Sequence, residues 1–330
     1  MVRPALRTGL LPLWRDRDTI QIGVDPRRAV ALTGAGAAAA MIGLLDGSRD
    51  REQLVTAATQ LGVPVTVAEQ LLTLLAAAGL LIDFPAALLR AVPLERRQQV
   101  LPELATASLA SQDADGGAQV LRRRAAASVR VLGTGRIPVG ITEVLTASGV
   151  PVTLLAPPER APADRPPPDR PLADGPPGDR ARPGGPSTLV ALAGQRPDPA
   201  ARLPRFPHLA VSAAEAIGTV GPLVRPGVSA CLRCLDLRRA DRDPAWPLIL
   251  AQLVRRQADP IACDAALAAA VAAQAAAQAL HFIDQPGATS PAESATLELV
   301  RPGWEWRRRI WPPHPSCACR ASEHRGPPGG

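Results

Sequence analysis

Cys231 and Cys234 stand two residues apart in "GPLVRPGVSACLRCLDLRR", and Cys317 and Cys319 stand one residue apart in "WPPHPSCACR". They are four of the chain's five cysteines, and the two pairs lie more than 80 positions apart. A tetrahedral zinc site needs four soft ligands about 2.3 Å from one ion, and a two-cysteine knuckle supplies half of them. Two knuckles on separate loops therefore read as a zinc shell of Cys231, Cys234, Cys317 and Cys319. A closed shell of four thiolates leaves no coordination position open, so such a site is structural rather than catalytic. Three other readings stay open here: a redox dithiol, structural disulfides, or unrelated thiols. The redox reading expects a helix N-terminus at the C-x-x-C, whereas the neighbours here read as hairpins. His314 in "PHP" is either a substitute ligand or part of a rigid turn. Cys263 reads as a packed apolar residue, and His208, His281 and His324 have no metal-like spacing.

The elements that would hold these knuckles follow from patterning. "VRVLGTGRIPVGITEVLTASGVPVTLLA" gives strand, glycine turn, helix and strand, the opening of a doubly wound fold. Gly133 and Gly135 sit in its turn, with Gly140 further on. Proline, aspartate, arginine and glycine then dominate 157–187, which reads as a disordered insertion. Strands resume at "STLVALAG", "HLAVS" and "IGTVGPLV". A helix through 248–256, an alanine-rich helix over 265–283 and a hairpin turning at Pro302-Gly303 complete the unit, and 321–330 reads as a disordered tail.

Residues 1–85 read as a separate unit. Ile20, Ile22 and Val24 alternate along one strand, Val30 and Leu32 along a second, and a third is expected at 11–14. Three helices follow, over 37–45, after Asp50 with Gln53 three positions on, and after Thr66 with Glu69 three positions on. Three strands before three helices is a winged-helix-like order. Residues 86–128 are helical and polar, broken at "SQDADGG", and read as a connector. The fold class is α/β, with domains at 1–85 and 129–320.

The net charge is +7, and every basic residue is arginine, because the chain has no lysine. The runs Arg122–Arg124 and Arg307–Arg309 are short, and the third N-terminal helix carries no arginine, which argues against nucleic-acid binding. No secretory signal is legible and no membrane span is expected, since the alanine-rich helix contains Gln274, Gln278 and His281. The expected compartment is cytoplasmic, where paired thiols favour metal over disulfide.

Gly133-x-Gly135 after a strand, the C-x-x-C, the alanine-rich helix and the closing cysteine pair resemble the ThiF-type, ubiquitin-activating-like adenylyltransferases. "DRDPAWP" and "TLELVRPGWEWRRRIWPPHPSCACR" are similar to actinobacterial ThiF-like proteins of azole- and azoline-forming peptide clusters, whose N-terminal PqqD-like domain binds a leader peptide. That resemblance implies ATP over the glycine loop. Yet Pro138 stands where the family's third glycine lies, and Gly140 comes two residues late. Pro157 and Pro158 follow the second strand, leaving Glu159 as a poor ribose ligand, and the family's Asn-Leu-x-Arg-Gln segment and phosphate lysine are absent. The sequence therefore argues against ATP binding. The resemblance also implies that a leader peptide adds as a strand at Ala29, Val30, Ala31, Leu32 and Thr33 and packs along 67–78, with Leu71, Leu74 and Leu75 in contact. Ordinary core is the competing reading of those leucines, and Arg27 and Arg28 would attract acidic leader residues. The implied partners are a precursor peptide of bacteriocin type, a YcaO-type cyclodehydratase and, as in related proteins, a second copy. An active adenylyltransferase and a basic winged-helix DNA regulator are the alternatives.

Overall fold

A computed structural model describes residues 3–34, 36–156, 188–193, 206–255 and 261–320. The proline-rich insertion at 157–187, with Pro157, Pro158 and Glu159, and the tail at 321–330, with His324, lie outside the described residues. The chain divides into two units, Met1–Arg123 and Arg124–Gly330.

The first unit begins with β1 (Pro4–Leu6) and a three-stranded antiparallel sheet of β2 (Pro12–Trp14), β3 (Thr19–Ile22) and β4 (Val30–Thr33), in that spatial order. The alternation holds except at Val24, which lies beyond the end of β3 and is exposed. Ile20 and Ile22 are buried, and Val30 and Leu32 pack against the same core while Ala31 and Thr33 face out. Helices α1 (Gly36–Ile42), α2 (Arg51–Gln60) and α3 (Val65–Ala77) follow, then β5 (Leu81–Asp83), which pairs antiparallel with β1. Asp50 and Gln53 form the expected capping box on α2. Thr66 and Glu69 do not form one: Pro64 is the N-cap of α3, so Thr66 is already inside the helix, and Glu69 pairs with Arg51 instead.

Segment 86–128 supplies α4 (Ala86–Ala91), α5 (Leu94–Ser111) and α6 (Ala118–Ala126). Helix α5 is tied to the N-terminal elements chiefly by Arg7, with Arg28 donating to the Leu109 carbonyl. The buried Arg7 guanidinium donates to the carbonyls of Gly79, Ser108, Gln112 and Asp113 over 2.5–3.2 Å. These carbonyls lie at and just beyond the ends of α3 and α5, where helical carbonyls lack partners and a cation is favoured. Asp115 then caps α6 by accepting from Gly117 and Gln119.

The second unit is built on a seven-stranded mixed sheet. Its strands are β6 (Val129–Leu132), β7 (Val152–Leu155), β8 (Leu189–Ala193), β9 (His208–Ala214), β10 (Ile217–Val224), β11 (Ala295–Val300) and β12 (Glu305–Ile310). The spatial order is β12-β11-β10-β9-β8-β6-β7, parallel from β7 to β9 and antiparallel from β9 to β12. The β9–β10 turn places Glu215 and Ala216 both at positive φ, the geometry that suits hairpin twist. Hydrogen bonds from Ala216 to the Ala262 carbonyl and from Arg301 to the Ala216 carbonyl hold it. Pro222 cannot donate to the ladder, and the β9–β10 register shifts there.

Helix α7 (Arg136–Ala147) connects β6 to β7, and the helices after β10 are α8 (Leu232–Ala240), α9 (Trp246–Arg255) and α10 (Ala265–Asp284). α10 is the one described helix long and apolar enough to cross a membrane, but its Leu267, Val271, Ala275 and Ala279 are buried in the core under β9, β10 and α7. Near its C-terminal end Asp284 takes both forks of the buried Arg124 guanidinium, at 2.7 and 2.9 Å. Cys263 is half-buried against this core, close to the expected role.

Replacing Arg7 by Met should destabilise the first unit by about 2–4 kcal/mol, because its carbonyl partners lose their donor. Urea unfolding of the full chain followed by circular dichroism measures it, and a change below 1 kcal/mol, roughly the value for an ordinary surface site, would refute the role.

Candidate metal centre

The two cysteine knuckles reach one point by different routes. Cys231 is the N-cap of α8 and Cys234 lies in its first turn. The expectation of hairpin neighbours is thus corrected: this C-x-x-C does open a helix. Its α8 residues "LRCLDLRR" mix leucine and arginine too irregularly to announce one. Cys317 and Cys319 lie in the chain after β12, the latter in a single 3-10 turn, Ala318–Arg320.

Ser294 fixes both routes. Its hydroxyl accepts from the Ala230 amide just before Cys231, and its carbonyl accepts from the Trp311 amide on the way to Cys317. Trp311 is fully buried, and its indole donates to Thr296 Oγ1 at 2.9 Å. The segment 312–316 is then pinned to α8. Arg238 donates to the Pro313 carbonyl at 3.0 Å, and His314 Nε2 lies 3.0 Å from Asp241 Oδ2. His314 Nδ1 accepts from the Ser316 amide, so Nε2 carries the proton given to Asp241. Both ring nitrogens are used, and His314 is an anchor rather than a ligand.

The sulfurs themselves sit at metal spacing. Cys231–Cys234 is 3.8 Å, Cys231–Cys317 is 3.7 Å and Cys234–Cys319 is 3.5 Å, and all four lie within 4.8 Å of one another. Four thiolates at about 2.3 Å from a central ion would be about 3.8 Å apart. A disulfide needs about 2.05 Å, so that reading fails on distance. The fifth thiol, Cys263, is not part of the group, and neither are His208 and His281. The Cys231 thiol donates to Cys234, which holds Cys234 down to about 4 and pushes Cys231 up. Burial pushes Cys319 up to about 12. Joint ionisation of thiols this close needs a cation among them. The four cysteines can therefore bind a metal ion, and the arrangement is closed: three are buried and the fourth half-buried.

Arginines lie beside the cluster, one of them, Arg239, paired with Asp236 at 3.3 Å. Arg239, Arg242 and Arg309 bring their guanidinium carbons to 5.0, 5.7 and 4.4 Å from the Trp311 ring centroid. Four thiolates with a divalent ion carry two net negative charges, which these arginines and the α8 N-terminus offset.

The glycine turn has a separate, steric explanation. A Cβ on Gly133 would overlap the Ala193 carbonyl oxygen, so this residue lets the chain leaving β6 run close to the end of its parallel neighbour β8. Gly135 is the N-cap of α7 with φ of 92°, a conformation that favours glycine. Gly140 faces the other way: a Cβ there would be 2.9 Å from Ala272 Cβ, so it serves the α7–α10 contact. Pro138 is buried in the first turn of α7 and removes one of the free donors that a helix N-terminus offers to phosphate.

The sequence-predicted peptide edge maps onto β4, whose outer side has no strand partner among the described residues. Leu71 and Leu75 are buried in the first unit's core with Leu72, whereas Leu74 is 62% exposed. Of the three leucines only Leu74 is thus available to a partner. Arg27 is paired with Asp25 at 2.7 Å, and Arg28 donates to the Leu109 carbonyl.

No protein-family model and no curated protein matches the chain. Solved structures do. The heterocyclase TruD matches with a TM-score of 0.64 at 15% identity, over 96% of this chain and 42% of TruD. The chain thus spans less than half of that protein. E. coli MccB with AMPCPP and MccA matches with a TM-score of 0.60 at 12% identity, over 96% of this chain and 99% of MccB. The microcin C7 biosynthetic enzyme MccB with N-formylated MccA gives 0.57 at 13% identity, over 96% and 99%. At such identities the likeness is one of fold.

Two outcomes test the assignments made from this geometry. Elemental analysis should find one metal ion per chain. Cys234→Ser should weaken its retention against a chelator by roughly 100-fold or more, while His314→Ala leaves the stoichiometry unchanged. Gly133→Ala should cost about 2–4 kcal/mol of stability by urea unfolding, since the obstacle is backbone. A neutral result would mean that the close approach of β6 to β8 does not need the glycine.

Proposed function

We propose that the chain is a leader-peptide-binding, ThiF-like partner protein in the biosynthesis of ribosomally made, azole- or azoline-modified peptides. It presents the precursor to a YcaO-type cyclodehydratase and performs no ATP chemistry of its own. The observation that carries this reading is the fold shared with a heterocyclase, over less than half of that enzyme's length. A fold shared with a heterocyclase suits a protein that acts in heterocycle-forming peptide biosynthesis. The reading places the protein in the cytoplasm and, following the resemblance, allows a homodimer.

On this reading β4 takes the leader as an added strand, with main-chain bonds giving affinity and side chains giving choice. Exposed Leu74 on α3 is the apolar contact. The ion at Cys231, Cys234, Cys317 and Cys319 is zinc, and it clamps the C-terminal segment to the sheet. The glycine turn supports a non-catalytic role: a carbonyl oxygen faces it, Pro138 removes a donor, and no lysine exists to meet a phosphate.

A second reading, an active adenylyltransferase, draws on the likeness to MccB, solved with AMPCPP. Pyrophosphate exchange separates the two. The partner reading expects none with ATP and any peptide carboxylate, and peptide-dependent exchange would replace it with the second.

Fluorescence anisotropy of the full chain with labelled leader peptides should give saturable binding. Leu74→Glu should weaken it roughly tenfold, and backbone N-methylation of the peptide should abolish it. Failure of every precursor leader to bind would end the proposal.

A further inference from the structure

The last strand of the large sheet is unusual in having all six of its residues exposed. The register sorts them. Trp306, Arg308 and Ile310 lie across from Leu299, Leu297 and Ala295, on the face that continues the buried core. Glu305, Arg307 and Arg309 lie on the opposite face, with Arg309 stacked on Trp311 beside Arg239 and Arg242. The core layer thus runs past its cover at β12, leaving Trp306 and Ile310 open, with Ile310 62% exposed. The outer edge of β12 has no strand partner among the described residues.

We infer that β12 is a docking edge for an extended acidic segment of a partner protein, one in which aspartate or glutamate alternates with branched apolar residues. An added strand would take main-chain bonds from the free edge. Its apolar residues would cover Trp306 and Ile310, and its carboxylates would meet Arg309 and compete with exposed Glu305 for Arg307. The period of two is what a strand presents, and arginine forks suit carboxylates in a bidentate way. Charge also selects against a second copy: two β12 edges pairing antiparallel would set Arg307–Arg309 against the same three residues. A nucleic acid would use the arginines but leave the free edge and the apolar face uncovered. The inference is independent of the leader-peptide reading, which uses β4 in the other unit.

The test uses the full chain and a fluorescein-labelled peptide of roughly ten residues alternating glutamate and valine. Anisotropy should show saturable binding that weakens with salt. Arg307→Glu and, separately, Ile310→Ser should each weaken it roughly tenfold, with unchanged circular dichroism and unchanged leader-peptide binding. A peptide of the same composition with glutamates and valines in two blocks should bind at least as poorly as those variants, and so should an N-methylated copy. Equal binding of the block peptide or the N-methylated copy would overturn the strand-docking inference, as would indifference to both substitutions. Tighter binding of a short DNA duplex, sensitive to Arg307→Glu but not to Ile310→Ser, would overturn it in favour of a nucleic-acid surface.

Discussion

Four sulfurs drawn within 4.8 Å of one another are the constraint on which the second unit's C-terminal half depends. They join the first turn of α8 to the chain that follows β12, alongside the hydrogen bonds of Ser294, Arg238 and His314. Among the described residues the apolar cluster around them contains Val224, Ala230, Leu235 and Trp311, with Leu237 packed against it, besides the cysteines themselves. Such a cluster is too small to close two loops by burial alone. An ion bound there contributes its affinity directly to folding. Ser294, Arg238 and His314 set the direction from which each knuckle arrives, so the protein contacts make the geometry and the ion would lock it.

The same unit shows how glycines in a strand–turn–helix can be required by packing alone. Gly133, Gly135 and Gly140 each answer a packing or backbone demand: a close approach to a neighbouring strand end, a helix cap and a helix–helix contact. A glycine motif retained for those reasons says nothing about ATP, which is the general caution that fold and function separate. In the first unit a single arginine plays a comparable organising role, collecting the carbonyls at the ends of two helices.

Much of this architecture was legible in the sequence because it rests on short-range signals. The strand alternation at Ile20 and Ile22, the Asp50–Gln53 box and the strand–glycine–helix opening at Val129–Ala147 need only a few neighbouring residues. The cysteine pairing was legible from spacing alone, although the helix that carries Cys231 and Cys234 was not. Strands β1 and β5 are three residues each, too short to show a period, and exist because they pair with each other. Thr66 looked like a cap until Pro64 started the helix earlier. Leu71, Leu74 and Leu75 are chemically identical in the sequence, and only the packing of α3 separates two core residues from one exposed one. Ser294 and Arg7 carried no signal at all, because their roles are set by carbonyls and amides distant in the chain.

Trp311 gives the molecule a built-in optical gauge. The chain has no tyrosine, and of its five tryptophans this is the one fully buried, packed in the same cluster as the sulfurs and roofed by guanidinium groups. Trp14, Trp304 and Trp306 are exposed to solvent. Trp246 is half-buried, so the blue component that belongs to the closed clamp is the part Trp311→Phe removes, and its loss would time the opening of that clamp without any added dye.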